Sequence, residues 1–318
     1  MPRQRPYRNL RLASKPWLLF GFIAAASIAV VFAIDSYRHR FVRSNADLVA
    51  LVSRDHMTLF FANVQLLREA GLLHFLVGPK TATAQEYEQF VQETHFDYTR
   101  DIDAIAGAAD NSQTFVVVRG RFDWDRLNQY ALSHGGISKA GVLTVSTSRR
   151  DRWASFVAIQ SDVVGLVVSS DSLAAKALVP HGARHVTPAI PQDPVWVKVS
   201  QTVLKDPADI PLPLRIFAIS MQPASAVLLS LDGNRESKAT PLGLQLRAEC
   251  PTKVTAETIC SQLQIQTKML RLELAHEHAD PSPADLTGLL AAGTFEVTGK
   301  QVIGKWPVHK ELIESLSR

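Results

Sequence analysis

Residues 242–274 read LGLQLRAECPTKVTAETICSQLQIQTKMLRLEL, and they decide the fold. Leu242, Leu244, Leu246 and Ala248 alternate with Gly243, Gln245 and Arg247. That two-residue period predicts a strand with one apolar face. Pro251 turns the chain and Thr252 is placed to cap a helix. Ile259, Leu263, Leu270 and Leu274 then fall on one stripe of a helix running from about 253 to 274. A strand with one apolar face and a helix with one apolar stripe are best satisfied by packing together. Leu263 should be buried against Leu244 or Leu246, with Gln264 on the polar side.

Outward from this unit the pattern repeats. A short helix is expected at 284–291, a hairpin at 294–306 and an amphipathic helix over 308–316. Upstream, strands are expected at 195–199, 214–221 and 225–232, with a proline-rich loop at 206–213. Residues 180–194, PHGARHVTPAIPQDP, carry four prolines and little apolar pattern, the mark of a boundary. Before them come a strand at 56–63, helices at 64–78 and 83–95, and a strand at 114–120. A helix capped by Asp123 follows over 124–133 and ends at Gly135-Gly136. Strands at 142–148, 153–159 and 163–169 lead to a helix capped by Asp171. The class is α+β, and the element order suggests two ferredoxin-like subdomains with antiparallel sheets. These would occupy 51–180 and 195–318, joined by a linker at 181–194.

The N-terminus is of another kind. Trp17 to Ile34, WLLFGFIAAASIAVVFAI, contains no charge. At about 1.5 Å per residue it spans about 27 Å, enough for the apolar core of a bilayer. Trp17 and Tyr37 stand at its ends, where amphipathic aromatics favour the interface. Residues 1–43 hold eight Lys or Arg against the single acid Asp35, so the rest of the chain has 26 basic and 29 acidic groups out of the totals of 34 and 30. Five of the basic residues precede the apolar run, which sets residues 1–16 in the cytoplasm. The expected order is a cytoplasmic tail (1–16), a transmembrane helix (17–34), a stalk (35–50) and a body outside the cytoplasm. The lipid bilayer is thus an expected partner of residues 17–34. Nucleic acid is not, because the body lacks the basic excess that phosphate binding needs.

Three stretches carry a resemblance. They are HFDYTRDID (95–103), TFVVVRGRFD (114–123) and LQLRAECP (244–251) followed by the long helix. In these the chain resembles a family of bacterial single-pass membrane-anchored proteins with a periplasmic α+β body and no assigned activity. His95 stands where that family carries glycine. The resemblance implies a fold and a location and supplies no functional residue.

Few residues suggest chemistry. His276 and His278, in HEHAD, are the best metal candidates. At a helix end, though, residues two apart point about 200° from each other. A metal-dependent hydrolase using His276 and His278 is the alternative to a non-catalytic reading. Asp97, Asp101 and Asp103 lack the spacing of a calcium loop; Asp97 reads as a helix cap, with the other two on the solvent side. GTFEVTGK (293–300) lacks the glycine spacing and the Ser or Thr of a phosphate loop. Cys250 and Cys260, ten residues apart, match no zinc spacing; in an oxidising compartment they are a possible disulfide, or two separate core thiols. The expectation is a non-catalytic, membrane-anchored envelope protein, without cofactor or metal, presenting an α+β surface to a protein or glycan partner.

Overall fold

The computed structural model describes residues 44–73, 85–149, 151–180, 189–206, 212–233, 242–276 and 284–309, with Val42, Ser282, Glu311, Leu312 and Ser315. Residues 17–34, the centre of the Pro-rich stretch and most of the expected C-terminal helix lie outside them. No helix among the described residues is long and apolar enough to cross a membrane. Met1–Arg43 and Ser44–Arg318 are two separate compact units.

The elements of the larger unit begin with α1 (Asn45–Val52), β1 (Thr58–Ala62), α2 (Val64–Glu69), α3 (Gln85–Thr94), α4 (Tyr98–Asp101), β2 (Ile102–Ala109), β3 (Thr114–Gly120) and α5 (Trp124–Ser133). Next come β4 (Ile137–Lys139), β5 (Val142–Ser146), β6 (Trp153–Gln160), β7 (Val163–Ser169), a 3-10 turn (Ala174–Leu178) and β8 (Val195–Val199). The chain continues with α6 (Gln201–Lys205), α7 (Leu212–Ser220), β9 (Ala226–Gly233), β10 (Leu242–Glu249), α8 (Lys253–His276), α9 (Leu286–Ala291), β11 (Thr294–Thr298) and β12 (Gln301–Val308). The α+β class is therefore as expected.

The two separate ferredoxin-like sheets are not. All 12 strands form one sheet in the order β11-β12-β10-β9-β8-β1-β2-β3-β7-β6-β5-β4. The junction is β1, which pairs antiparallel with β2 on one edge and with β8 on the other. Phe61 of β1 stacks on Trp196 of β8 with ring centroids 5.8 Å apart. An unpaired edge at β1 would leave backbone donors and acceptors to be satisfied elsewhere, and β8 supplies the partners.

The register shows that the helical layer changes sides along the sheet. Directly paired residues share a face. Following the pairs Leu246–Leu229, Leu229–Val197, Val197–Phe60, Phe60–Gly107, Gly107–Val116, Val116–Leu166 and Leu166–Phe156 stays on one face throughout. In the C-terminal half this face is covered: Leu246, Ala248, Val227 and Val302 join Phe217 of α7, Ile259 and Leu263 of α8 and Leu290 of α9 in one core. In the N-terminal half the opposite face is the buried one. Ala104, Ala106, Phe115, Val117, Val163 and Val167 are buried there. The 3-10 turn closes that side, with the Ala175 amide donating to Ser155 Oγ at 3.2 Å.

The decisive stretch behaves as read. Leu263 is fully buried, and Thr252 Oγ1 accepts from the Thr255 amide at 3.1 Å at the helix start. Asp97 and Asp123 are N-caps of α4 and α5. Two segments differ. The strand expected at 214–221 is helix α7, and Ile102–Ala109, not expected as a strand, is β2.

Candidate functional site

Each half leaves one sheet face without the helical layer that covers its other side. In the C-terminal half that face is polar. Arg247 Nε donates to Gln245 Oε1 at 2.9 Å, Arg247 pairs with Asp193 at 3.4 Å, and Lys305 Nζ lies 3.3 Å from Glu296 Oε1. A solvated antiparallel sheet face has this composition.

The N-terminal half differs. Its second face carries the row Leu143, Phe156, Leu166, Val116 and Phe60, with Val118 and Val164 beside it, and each of these is half-buried. Phe60 lies flat over Gly107, where any Cβ would strike its ring. At one end α5 reaches this face: a Cβ on Gly136, just past the helix, would sit 3.5 Å from Val145 of β5. α5 and α3 carry an aromatic cluster there. Phe90 meets Tyr130 edge-on at 5.1 Å, Phe96 stacks on Phe122 at 5.4 Å, and Phe122 lies 5.3 Å from Trp124. Trp124 Nε1 donates to Ser161 O at 3.0 Å, tying the cluster to the β6–β7 turn. The far end of the face is bounded by the helices of the C-terminal half. The result is an apolar trough floored by β-branched and aromatic side chains, which can take up apolar surface but offers no reacting group.

The polar residues singled out from the sequence lie elsewhere and hold structure. Asp97 Oδ1 accepts from the Thr99 amide at 2.9 Å, Thr99 Oγ1 at 2.6 Å and Tyr87 Oη at 3.0 Å. Burial and this bond raise the Tyr87 phenol well above its ordinary value. Asp101 is not on the solvent side. It is buried, accepts from the Asp97 amide at 2.9 Å, and pairs with Arg100 at 2.9 Å and Arg121 at 3.2 Å. Arg68 donates to Thr99 O and Ile102 O at 2.9 Å and reaches Asp103 at 3.4 Å. HFDYTRDID is thus the lock that starts β2. His95 holds φ 57°, a left-handed conformation that costs glycine least.

Asp101 has a measurable consequence. Burial pushes its carboxyl up, but the Arg100 hydrogen bond, the Asp97 amide and the charges of Arg100 and Arg121 outweigh this and pull it below the ordinary value. A depressed carboxylate stabilises the fold fully above its unfolded pKa, about 3.9, and loses that contribution as pH falls through the lower folded value. Asp101→Ala should cost about 1–3 kcal/mol at pH 7, since it strands a buried amide. In urea denaturation the gap from wild type should narrow steadily as the pH falls below 4; a gap unchanged at pH 2.5 would show that the charge is not what matters.

His276 closes α8 and is exposed, and His278 lies outside the described residues. Among the described residues no three His, Cys, Asp or Glu side chains gather as metal ligands would. Cys250 and Cys260 are free and buried in the same core rather than bonded, and burial raises both thiols. Cys250 Sγ instead lies 3.7 Å from Ala248 O.

No family model and no curated protein matches the chain. Among solved structures, crystal forms I, III and IV of TP0453 align over 85% of this chain and 94–97% of theirs, at 11–14% identity and TM-scores of 0.43–0.44. That likeness is distant in course as well as in sequence, and no residue or role is transferred from it.

Proposed function

We propose that this chain is a non-catalytic, membrane-anchored protein of the bacterial envelope, whose body outside the cytoplasm docks a partner on the apolar face of its N-terminal half. The observation that carries the reading is the contrast between the two faces left by the helical layers. One is charged and internally paired, as water-facing sheets are. The other is a continuous row of half-buried Leu, Val and Phe. Apolar surface gathered in a concavity marks a binding surface more often than an idle one. Its lining favours an apolar protein segment over a glycan, for which charged or amide groups would have to project into the trough. The anchor is Trp17 to Ile34, with its basic flanks.

The location is tested by cell fractionation together with a reporter fused after Arg318 that is active only outside the cytoplasm. The chain should sediment with membranes and the reporter should be active. A soluble mature protein beginning beyond Ile34 would replace the anchor with a cleaved leader, and an inactive reporter would reverse the orientation.

A further inference from the structure

A second apolar surface lies on the outer side of the C-terminal helices. α8 buries Ala256, Ile259, Leu263 and Thr267 toward the sheet. On its outer side Ile265, Met269 and Leu272 are 58–65% exposed, and Val254 follows the same stripe two to three turns back at 70%. The neighbouring helix α7 adds Ile216 and Ile219, each at least half exposed. The two helices are joined side by side where Gln266 Nε2 donates to Ser220 Oγ at 2.6 Å, and so the stripe continues across both. Large side chains held this far into water over two adjoining helices are unusual for a surface that meets only solvent.

We infer that this stripe rests on the lipid bilayer, with α8 lying along the membrane surface. The inference rests on the anchored reading and names the second thing that the body touches. Two features select the bilayer. The nine residues Asp35–Arg43 separate the apolar run from the body and extend about 30 Å at most. A body of this size has a radius of gyration of about 19 Å, so a tether that short keeps every face of it within reach of the surface and gives lipid a high effective concentration there. The stripe also has the build of an interfacial helix. Its apolar side chains protrude rather than line a groove, uncharged Thr258, Ser261 and Gln262 share the outer side, and exposed Lys268 and Arg271 stand within a turn of Met269. Long basic side chains in that position lay their stems on apolar surface and keep their charge at the headgroups. Sinking Ile265, Met269 and Leu272 into the acyl boundary removes the surface that water otherwise meets.

The test uses the full chain in vesicles of phosphatidylcholine and phosphatidylglycerol. A nitroxide is attached through Met269→Cys, or through Ser138→Cys on the exposed strand β4; both native thiols are buried. Collision rates with oxygen, which concentrates in lipid, and with a water-soluble nickel chelate are compared. The ratio of oxygen to nickel accessibility should be several-fold higher at position 269 than at 138, and adding Ile265→Glu should bring it down to the value at 138 while the chain still floats with the vesicles. Equal ratios in a chain that floats would overturn the docking and leave the anchor standing. A chain that does not float would remove the anchor and this inference with it. A label at 269 shielded from both probes, in detergent as in vesicles, would mean a protein contact such as a second copy and would overturn the bilayer as occupant.

Discussion

Leu263→Ala should destabilise the body by about 2–5 kcal/mol, the range for truncating a buried leucine where the site cannot collapse. Leu263 is fully buried in the core that joins α8 to β9, β10 and β12. The neighbouring substitution is the control. Gln264 is largely exposed, but its Nε2 donates to Phe295 O at 3.2 Å on edge strand β11. Gln264→Ala should therefore cost about 0.5–1.5 kcal/mol, the net worth of a hydrogen bond, rather than nothing. Chemical denaturation of the two variants measures both. Equal small losses would mean that α8 is not docked on this sheet.

Val197→Pro should cost at least about 3 kcal/mol, because β8 is paired on both sides, with Val197 opposite Phe60 of β1 and Leu229 of β9. Proline removes a ladder donor and cannot be accommodated in an interior strand. The more telling readout is which residues respond. In one continuous sheet, hydrogen exchange should rise in β1 and β2 as well as in β9 and β10, since the break falls at the joint between the halves. Two independent subdomains would instead confine the change to residues beyond 195.

The difference between those outcomes measures what the sequence could disclose. The unit β10–α8 was legible because its two periods, two residues and then 3.6, stand next to each other with a cap between them. The hairpin β11–β12 and the strands β3, β5, β6 and β7 were legible for the same reason. β2 was not. Its sequence, IDAIAGAA, is mostly alanine and glycine, which have little strand preference of their own. It is a strand because Gly107 makes room for Phe60 and the alanines fit under the helical layer, both facts of the folded neighbours. The run PLPLRIFAIS was ambiguous by length and apolarity. Leu214, Phe217 and Met221 at three- and four-residue spacing were the available signal for α7, and all three meet the core. The trough lay beyond reach. Which side of β3 or β7 faces helices depends on the pairings of β1 with β8 and of β3 with β7, and these long-range partners leave no local mark. Asp101, expected in water, is buried because two arginines and a backbone amide converge on it, again from outside its own segment.

The apolar trough as a docking face is tested most directly by photocross-linking in intact cells, with a photoreactive residue replacing Leu166 in the full chain and, separately, Lys305 on the polar face. Leu166 lies mid-row in the trough, paired with Val116 and Phe156, and Lys305 is exposed on the internally paired face. The account predicts a discrete adduct of defined mass from position 166 and none from 305. No adduct from 166, or the same diffuse adducts from both positions, would contradict it.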